Sequence, residues 1–319
     1  MEKNLALALV LLVVAAAIGY GVYSYYTAPK ETIVVGHLPD DHHAALFVAK
    51  AKGMFDREGI KIEMVEFKAG PEIVKAAGTG DIDIGYCGTP PATMAIDKKI
   101  PIKIVASANQ EGSGIVVGKG TNIKSIKDFR GKTIAIPMVG SLQDVLLRDA
   151  IEKNKIDPEE VNIIELEVPL MPKALQAGEI DGFIAWEPYV STAKLEGYGD
   201  VLMYSEDIWK GHPCCVVVAT DDFRKNKPDV LKKFLKVHVE ATNYVNTHKD
   251  ETAFILSGEL GTDVDVEKEA LKHMKFVAIP TDEFIENVLK FVEIQKQLGY
   301  IKHDLTKDDI FDLGYLPTL

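Results

Sequence analysis

The chain has 319 residues, 47% hydrophobic and 26% charged, with a net charge of −12 at neutral pH. That length exceeds what one hydrophobic core usually serves, so two lobes are expected. The acidic balance argues against a phosphate-binding basic face, and with it against a nucleic-acid partner.

Between Lys3 and Lys30 no residue is charged. Residues 5–22 are nearly all Leu, Val, Ala, Ile and Gly, and Tyr23, Tyr25 and Tyr26 follow. An apolar run of about 20 residues can cross a bilayer as a helix, and tyrosines at one end suit its interface. Residues 1–27 therefore read as a membrane anchor or, with Ala15-Ala16-Ala17 as a cleavage site, as a signal peptide. The length of the run favours the anchor. Either reading places the rest of the chain outside the cytoplasm, tethered or secreted. No cysteine precedes Cys87, which excludes lipoprotein-type attachment. Residues 28–31 read as a linker.

The folded part starts with a β-branched strand at 32–36, a loop at 37–43 and a helix at 44–58. Strands follow at 61–67, 83–87 and 102–107, with helices at 71–79 and 91–98 between them. Strand–helix alternation with short turns implies right-handed parallel crossovers in an α/β sheet. The second half repeats the pattern, with strands at 115–117, 133–136, 162–166 and 182–185 and helices at 141–153, 170–177 and 188–196. A β run at 214–220 precedes a helical tail at 228–248, 266–274 and 282–298. The first tail helix carries Leu231, Phe234, Leu235, His238, Ala241 and Val245 on one face, so His238 reads as a core histidine.

One short unit occurs twice. Gly80-Asp81-Ile82-Asp83 and Gly178-Glu179-Ile180-Asp181 each lead into an apolar strand and then a proline turn, Pro90 and Pro188. The aspartates precede their strands and so read as structural. The turns after the strands, Gly88-Thr89-Pro90 and Trp186-Glu187-Pro188, are expected to face each other across a cleft.

In open α/β sheets, ligands bind outside the carboxyl ends of the strands. His37-Leu38-Pro39-Asp40-Asp41-His42-His43 is the richest polar segment at such an end. The plain alternative is an aspartate cap with solvated histidines. Its ligand spacing is not diagnostic, so no metal is assigned. Gly140-Ser141 opens a helix whose N–H groups and hydroxyl suit an anion. Trp186 offers a flat apolar wall, and Glu187 a charge or a helix cap. Catalytic signatures are missing: Gly131-Lys132-Thr133 lacks the phosphate-loop glycine at Ile126, and Gly112-Ser113-Gly114 misses the dinucleotide spacing. The three cysteines form no C-x-x-C. Cys87, Cys214 and Cys215 read as small buried thiols, with a bridge from Cys87 to one of the others as the alternative.

The order of these elements resembles the periplasmic substrate-binding proteins of ABC importers, in the nitrate, sulfonate and taurine group. The likeness lies in Ala51-Lys52-Gly53-Met54-Phe55 with Glu58-Gly59-Ile60, Gly80-Asp81-Ile82-Asp83-Ile84-Gly85, Ile126 through Ala135, Trp186-Glu187-Pro188 and Pro228-Asp229-Val230, and covers about residues 32–300. It implies a two-lobed α/β fold of the type II periplasmic-binding kind, each lobe a mostly parallel sheet flanked by helices. Lobe I would be 32–112 with 215–319, its C-terminal helices packed on it, and lobe II 113–214. It also implies a solute held between the lobes, no cofactor, no catalysis, permease and ATPase partners, and a monomer.

Two readings follow. The first is a binding protein that closes like a hinge, with crossovers near 107–117 and 213–218. Contacts are expected from His37, Asp40, His42 and His43 in the first loop, and from Cys87, Gly88 and Thr89 after the third strand. Ser113, Gly140 and Ser141, then Trp186, Glu187 and Cys214, would complete the site. The solute would be a small organic anion or zwitterion, of sulfonate, taurine or nitrate type, or a vitamin-precursor heterocycle. The alternative is an enzyme resembling the thiamine-pyrimidine synthases of the same fold, carried by His42 or His43 and Cys214-Cys215. The cysteine cluster of those enzymes is longer than the pair found here.

Overall fold

The computed structural model describes residues 31–318. The expected anchor or signal segment and residues 28–30 of the linker lie outside the described residues. Among the described residues no helix is long and apolar enough to cross a membrane. In chain order the strands are β1 (Glu31–His37), β2 (Ile60–Glu66), β3 (Ile84–Gly88), β4 (Ile102–Glu111), β5 (Ser113–Gly118), β6 (Thr133–Ile136), β7 (Asn162–Glu165), β8 (Gly182–Trp186), β9 (Gly199–Tyr204), β10 (Pro213–Thr220) and β11 (Met274–Phe276). Helices of seven or more residues are α1 (Ala44–Ala51), α2 (Gly70–Thr79), α3 (Thr89–Asp97), α4 (Leu142–Lys153), α5 (Met171–Ala177), α6 (Tyr189–Leu195), α7 (Pro228–Thr247), α8 (Lys249–Leu260), α9 (Val264–Ala270) and α10 (Asp282–Gln297).

The strands form a six-stranded sheet, β11-β4-β10-β3-β1-β2, and a five-stranded sheet, β7-β6-β8-β5-β9. The expected parallel crossovers are there: β1 pairs parallel with β2 and β3, and β6 with β7 and β8. Both sheets are nonetheless mixed. β10 runs antiparallel between β3 and β4, and β5 antiparallel between β8 and β9. These antiparallel strands are where the chain passes between sheets. β4 belongs to the first and β5 to the second, with Gly112 alone between them.

The duplicated unit has one geometry in both places. Gly80 and Gly178 end α2 and α5 in the left-handed conformation (φ 80° and 73°), which glycine adopts without steric cost. Asp83 and Asp181 then accept the backbone N–H of Val34 and Thr133 in the neighbouring parallel strand, each at 2.9 Å. The carboxylates therefore tie strands together at the end away from the turns, as expected of a structural role.

The α7 stripe is buried as expected, and α7 and α8 pack on α1 while α10 packs on α3. His238 is a core residue bridging Tyr86 Oη (2.9 Å) and the Ser107 carbonyl (2.8 Å). Tail elements also reach the second sheet's helices: α10 touches α4, and α9 packs on α6. There Lys194 pairs with Glu269 (2.6 Å), and Tyr204 stacks on His273 with centroids 3.7 Å apart. On another rim Lys68 pairs with Glu167 at 2.5 Å.

Some elements differ from expectation. The helix expected over 44–58 breaks at Gly53, left-handed with φ 62°. The helix expected over 266–274 ends at Ala270, and the chain turns into β11. Neither β9 nor α8 was expected.

Candidate functional site

The turns at the carboxyl ends of both sheets converge on a closed cleft. Its cavity of about 10 Å³ has the size of about one water molecule. The first sheet contributes Leu38, Asp40, His42, Gly70, Gly88 and Pro91. Ser141, Leu142, Gln143 and Trp186 come from the second sheet's side, and Cys214 and Cys215 from the start of β10.

The first loop is folded and fully inside. Asp40 caps a 3-10 turn over Asp41–His43 by accepting His43 N–H at 3.1 Å. The histidines are buried, not solvated. His37 donates to the Leu38 carbonyl and meets the Phe47 ring edge-on, behind the cavity wall. His43 Nδ1 accepts from Leu38 N–H (3.1 Å), and burial holds this imidazole well below its usual range and so neutral. Its approach to Asp40 Oδ1, 3.1 Å, is therefore not an ion pair. Burial drives the Asp40 carboxyl up to about 7, and its Oδ2 has no partner. Deeper still, Asp41 is pushed well above the carboxylate range by burial and then by the charge of Glu267.

His42 is the centre of the site. Its Nε2 donates to the Gly112 carbonyl at 2.7 Å. Its Nδ1 lies 3.2 Å from Cys214 Sγ and 3.6 Å from Cys215 Sγ. Burial lowers the His42 pKa, but the Cys214 thiolate and Asp40 more than offset this and hold it raised. Burial likewise pushes the Cys214 thiol up, and the Cys215 thiol and the His42 imidazolium bring it below its ordinary value. Both directions favour charge separation across this buried sulfur–nitrogen contact. All three cysteines are free; Cys87 lies inside β3, where burial pushes its thiol to about 12.

Gly112 is required by this geometry. Its φ is 90°, and a Cβ there would meet His42 Nε2 at 2.6 Å. Its carbonyl also accepts Glu187 N–H at 3.0 Å, so the link between the sheets holds both turn regions. Glu187 carries its carboxyl, raised by burial to about 7, onto Ser191 N–H and Oγ.

The Ser141 helix start is used differently from the expectation. The Ser141 hydroxyl accepts Asp144 N–H (3.2 Å), and Gly140 N–H donates to Asp144 Oδ2 (2.8 Å). Tyr300 and Arg148 also donate to the same carboxylate. The helix's own Asp144 thus occupies the place foreseen for an external anion.

Of the expected residues, Asp40, His42, Gly88, Ser141, Trp186 and Cys214 line the cavity. The others stand behind it. Thr89 Oγ1 donates to the Cys214 carbonyl, and Ser113 Oγ accepts Gln143 Nε2. Leu38, Gly70, Pro91, Leu142 and Gln143 line the cavity outside the expected set, and so does Cys215, expected at a site only on the enzymatic reading. Gln143 had a readable signal, since it sits in the first turn of the helix that Ser141 caps.

Comparison with known proteins agrees with the fold. The NMT1-like family profile matches residues 26–257. The chain is 33% identical over 197 residues to the taurine-binding periplasmic protein of Escherichia coli, covering 61% of each chain. It therefore spans less than two thirds of that relative's length. It is 27% identical over 258 residues to the 4-amino-5-hydroxymethyl-2-methylpyrimidine phosphate synthase of Schizosaccharomyces pombe, covering 75% of this chain and 73% of the relative. The solved periplasmic nitrate-binding protein of Synechocystis superposes with a TM-score of 0.80 at 18% identity, over 91% of this chain and 88% of that one. This is the periplasmic-binding fold that the sequence resemblance implied.

Proposed function

The chain belongs to the NMT1-like family, and from that membership and its closed cleft we propose that it is the extracytoplasmic solute-binding subunit of an ABC importer. Lobe I (32–112 with 215–319) and lobe II (113–214) close as a hinge on a small solute and present it to permease and ATPase subunits. The protein acts as a monomer, tethered by its apolar N-terminal segment or secreted after cleavage, and performs no chemistry. The observation that carries this reading is the convergence of turns from both sheets on one buried cavity. A cavity of about 10 Å³ admits a solute only when its walls separate.

The lining favours a zwitterion or heterocycle over nitrate. None of its twelve residues is Lys or Arg, and Asp144 already holds the helix start. Trp186 supplies a flat apolar wall, and Asp40 an acceptor for an amine or ring N–H. Native mass spectrometry of the protein as purified, then a thermal-shift panel of taurine, alkanesulfonates, nitrate and pyrimidines, tests the reading. One solute is expected to raise the melting temperature in proportion to RT ln(1 + [L]/Kd), with the rise lost in Trp186→Ala. Absence of any bound or stabilising solute, with Trp186→Ala indistinguishable from wild type, refutes it.

The His42–Cys214 pair and the synthase relative favour a second reading, an enzyme. A pyrimidine product formed by the purified protein with pyridoxal phosphate and iron would support it; no product with both supplied rules it out.

A further inference from the structure

Solute capture leaves one feature of the cleft unused: a nitrogen and two sulfurs gathered at its floor. His42 Nδ1, Cys214 Sγ and Cys215 Sγ all lie within 4.8 Å of one another, and all three residues are buried. We propose that this trio binds one tetrahedral, thiophilic divalent cation of the zinc class, with a fourth coordination position open to the cleft.

The spacings fit such an ion. Tetrahedral Zn–S bonds of about 2.3 Å place two sulfurs about 3.8 Å apart, and a Zn–N bond of about 2.0 Å places nitrogen about 3.5 Å from each sulfur. The structure has the sulfurs 3.8 Å apart and the nitrogen at 3.2 and 3.6 Å.

The histidine is oriented as a ligand. Because Gly112 offers only a carbonyl, Nε2 must be the donor in that 2.7 Å bond. Nδ1 is then the atom aimed at the sulfurs. A backbone carbonyl fixing the far nitrogen is the usual support of a metal-bound imidazole.

The strand is bent to the purpose. Neighbouring residues of a regular strand point to opposite faces, so Cys214 and Cys215 would ordinarily diverge. The β10–β4 pairing shifts register on both sides of Cys215, between Pro213 and Cys215 and again between Cys215 and Val216. A bulge re-aims side chains in this way, and it brings both sulfurs to one side. Asp40 lines the same cavity with a buried, unpartnered Oδ2. It is a candidate for the fourth position, which a donor atom of a solute would otherwise fill. Thiolate with imidazole selects zinc-like ions over magnesium or calcium.

The test uses the full chain, stripped with chelator and titrated anaerobically with Co2+, then Zn2+. The expected result is one ion per chain by native mass spectrometry. Cobalt should give thiolate charge-transfer absorption and the intense visible bands of a tetrahedral site, and Zn2+ should abolish both. Cys214→Ser and Cys215→Ser should each weaken binding more than tenfold, while Cys87→Ser leaves it unchanged. Asp40→Asn weakens binding if the carboxylate takes the fourth position and changes only the cobalt spectrum if it does not. The wild-type spectrum decides the matter even if a variant fails to fold. Weak octahedral cobalt bands without charge transfer, or equal binding in Cys214→Ser and Cys87→Ser, overturns the proposal.

Discussion

Replacing Gly112 by alanine tests the joint between the two sheets. Two costs add. A non-glycine residue in left-handed backbone costs about 1–2 kcal/mol. The new Cβ would also lie 2.6 Å from His42 Nε2 and 3.1 Å from Met274 Cβ. His42 is buried on every side, so its ring can yield only by giving up the Gly112 hydrogen bond, worth about 1 kcal/mol. Overpacking of this kind adds about 1–3 kcal/mol. Gly53→Ala isolates the backbone cost, because Gly53 has φ 62° and nothing within 4 Å of the added carbon. The expected losses are about 4 kcal/mol for Gly112→Ala and about 1–2 kcal/mol for Gly53→Ala, read by urea denaturation with a common m-value. Equal losses would refute the assignment of Gly112 as the point where His42 is held.

Glu187 has a folded pKa of about 7 against an ordinary 4.5, so the folded chain binds its proton more tightly. Its contribution to stability is complete below pH 4.5 and is lost as pH rises through about 7. The melting temperature should therefore fall between about pH 5 and 8, and Glu187→Gln should flatten that fall; an unchanged slope rejects the buried-acid assignment. Tyr86→Phe removes one partner of the His238 bridge and should cost about 1 kcal/mol, measured by chemical denaturation; no loss would mean the bond contributes nothing. Asp83→Ala and Asp181→Ala each remove the bond to a strand N–H and should cost about 1–2 kcal/mol, with little added by the half-exposed Lys132 that also pairs with Asp181. A large inequality between them would show that the two units share a pattern but not a role.

What could be read in advance was local. The Gly80 and Gly178 turns, the α7 stripe and the paired proline turns each depend on residues a few positions apart, and all were legible. Gly53 was visible as a residue but not as a break, because the apolar spacing runs through it. β11 has only three residues and takes its place from pairing with β4. α8 lacks a clear apolar stripe, and its Phe254 is exposed. The core of the site was beyond reach for another reason. His42 meets Cys214 across 172 positions, and the bulge that turns Cys215 inward is made with β4. Ser141 was legible as a cap, but that Asp144 would claim the freed N–H groups depended on Tyr300 and Arg148 holding it there.

Of the ion pairs across the rim, Lys68 with Glu167 is open to water and Lys194 with Glu269 is half-buried. Such pairs are screened by dissolved salt, whereas the buried contacts of the floor are not. If the lobes open and close as proposed, the balance between an ajar and a shut molecule is thereby coupled to the surrounding ionic strength. On that proposal the chain would hold a solute less firmly in brine than in fresh water, with no change in the residues that touch it.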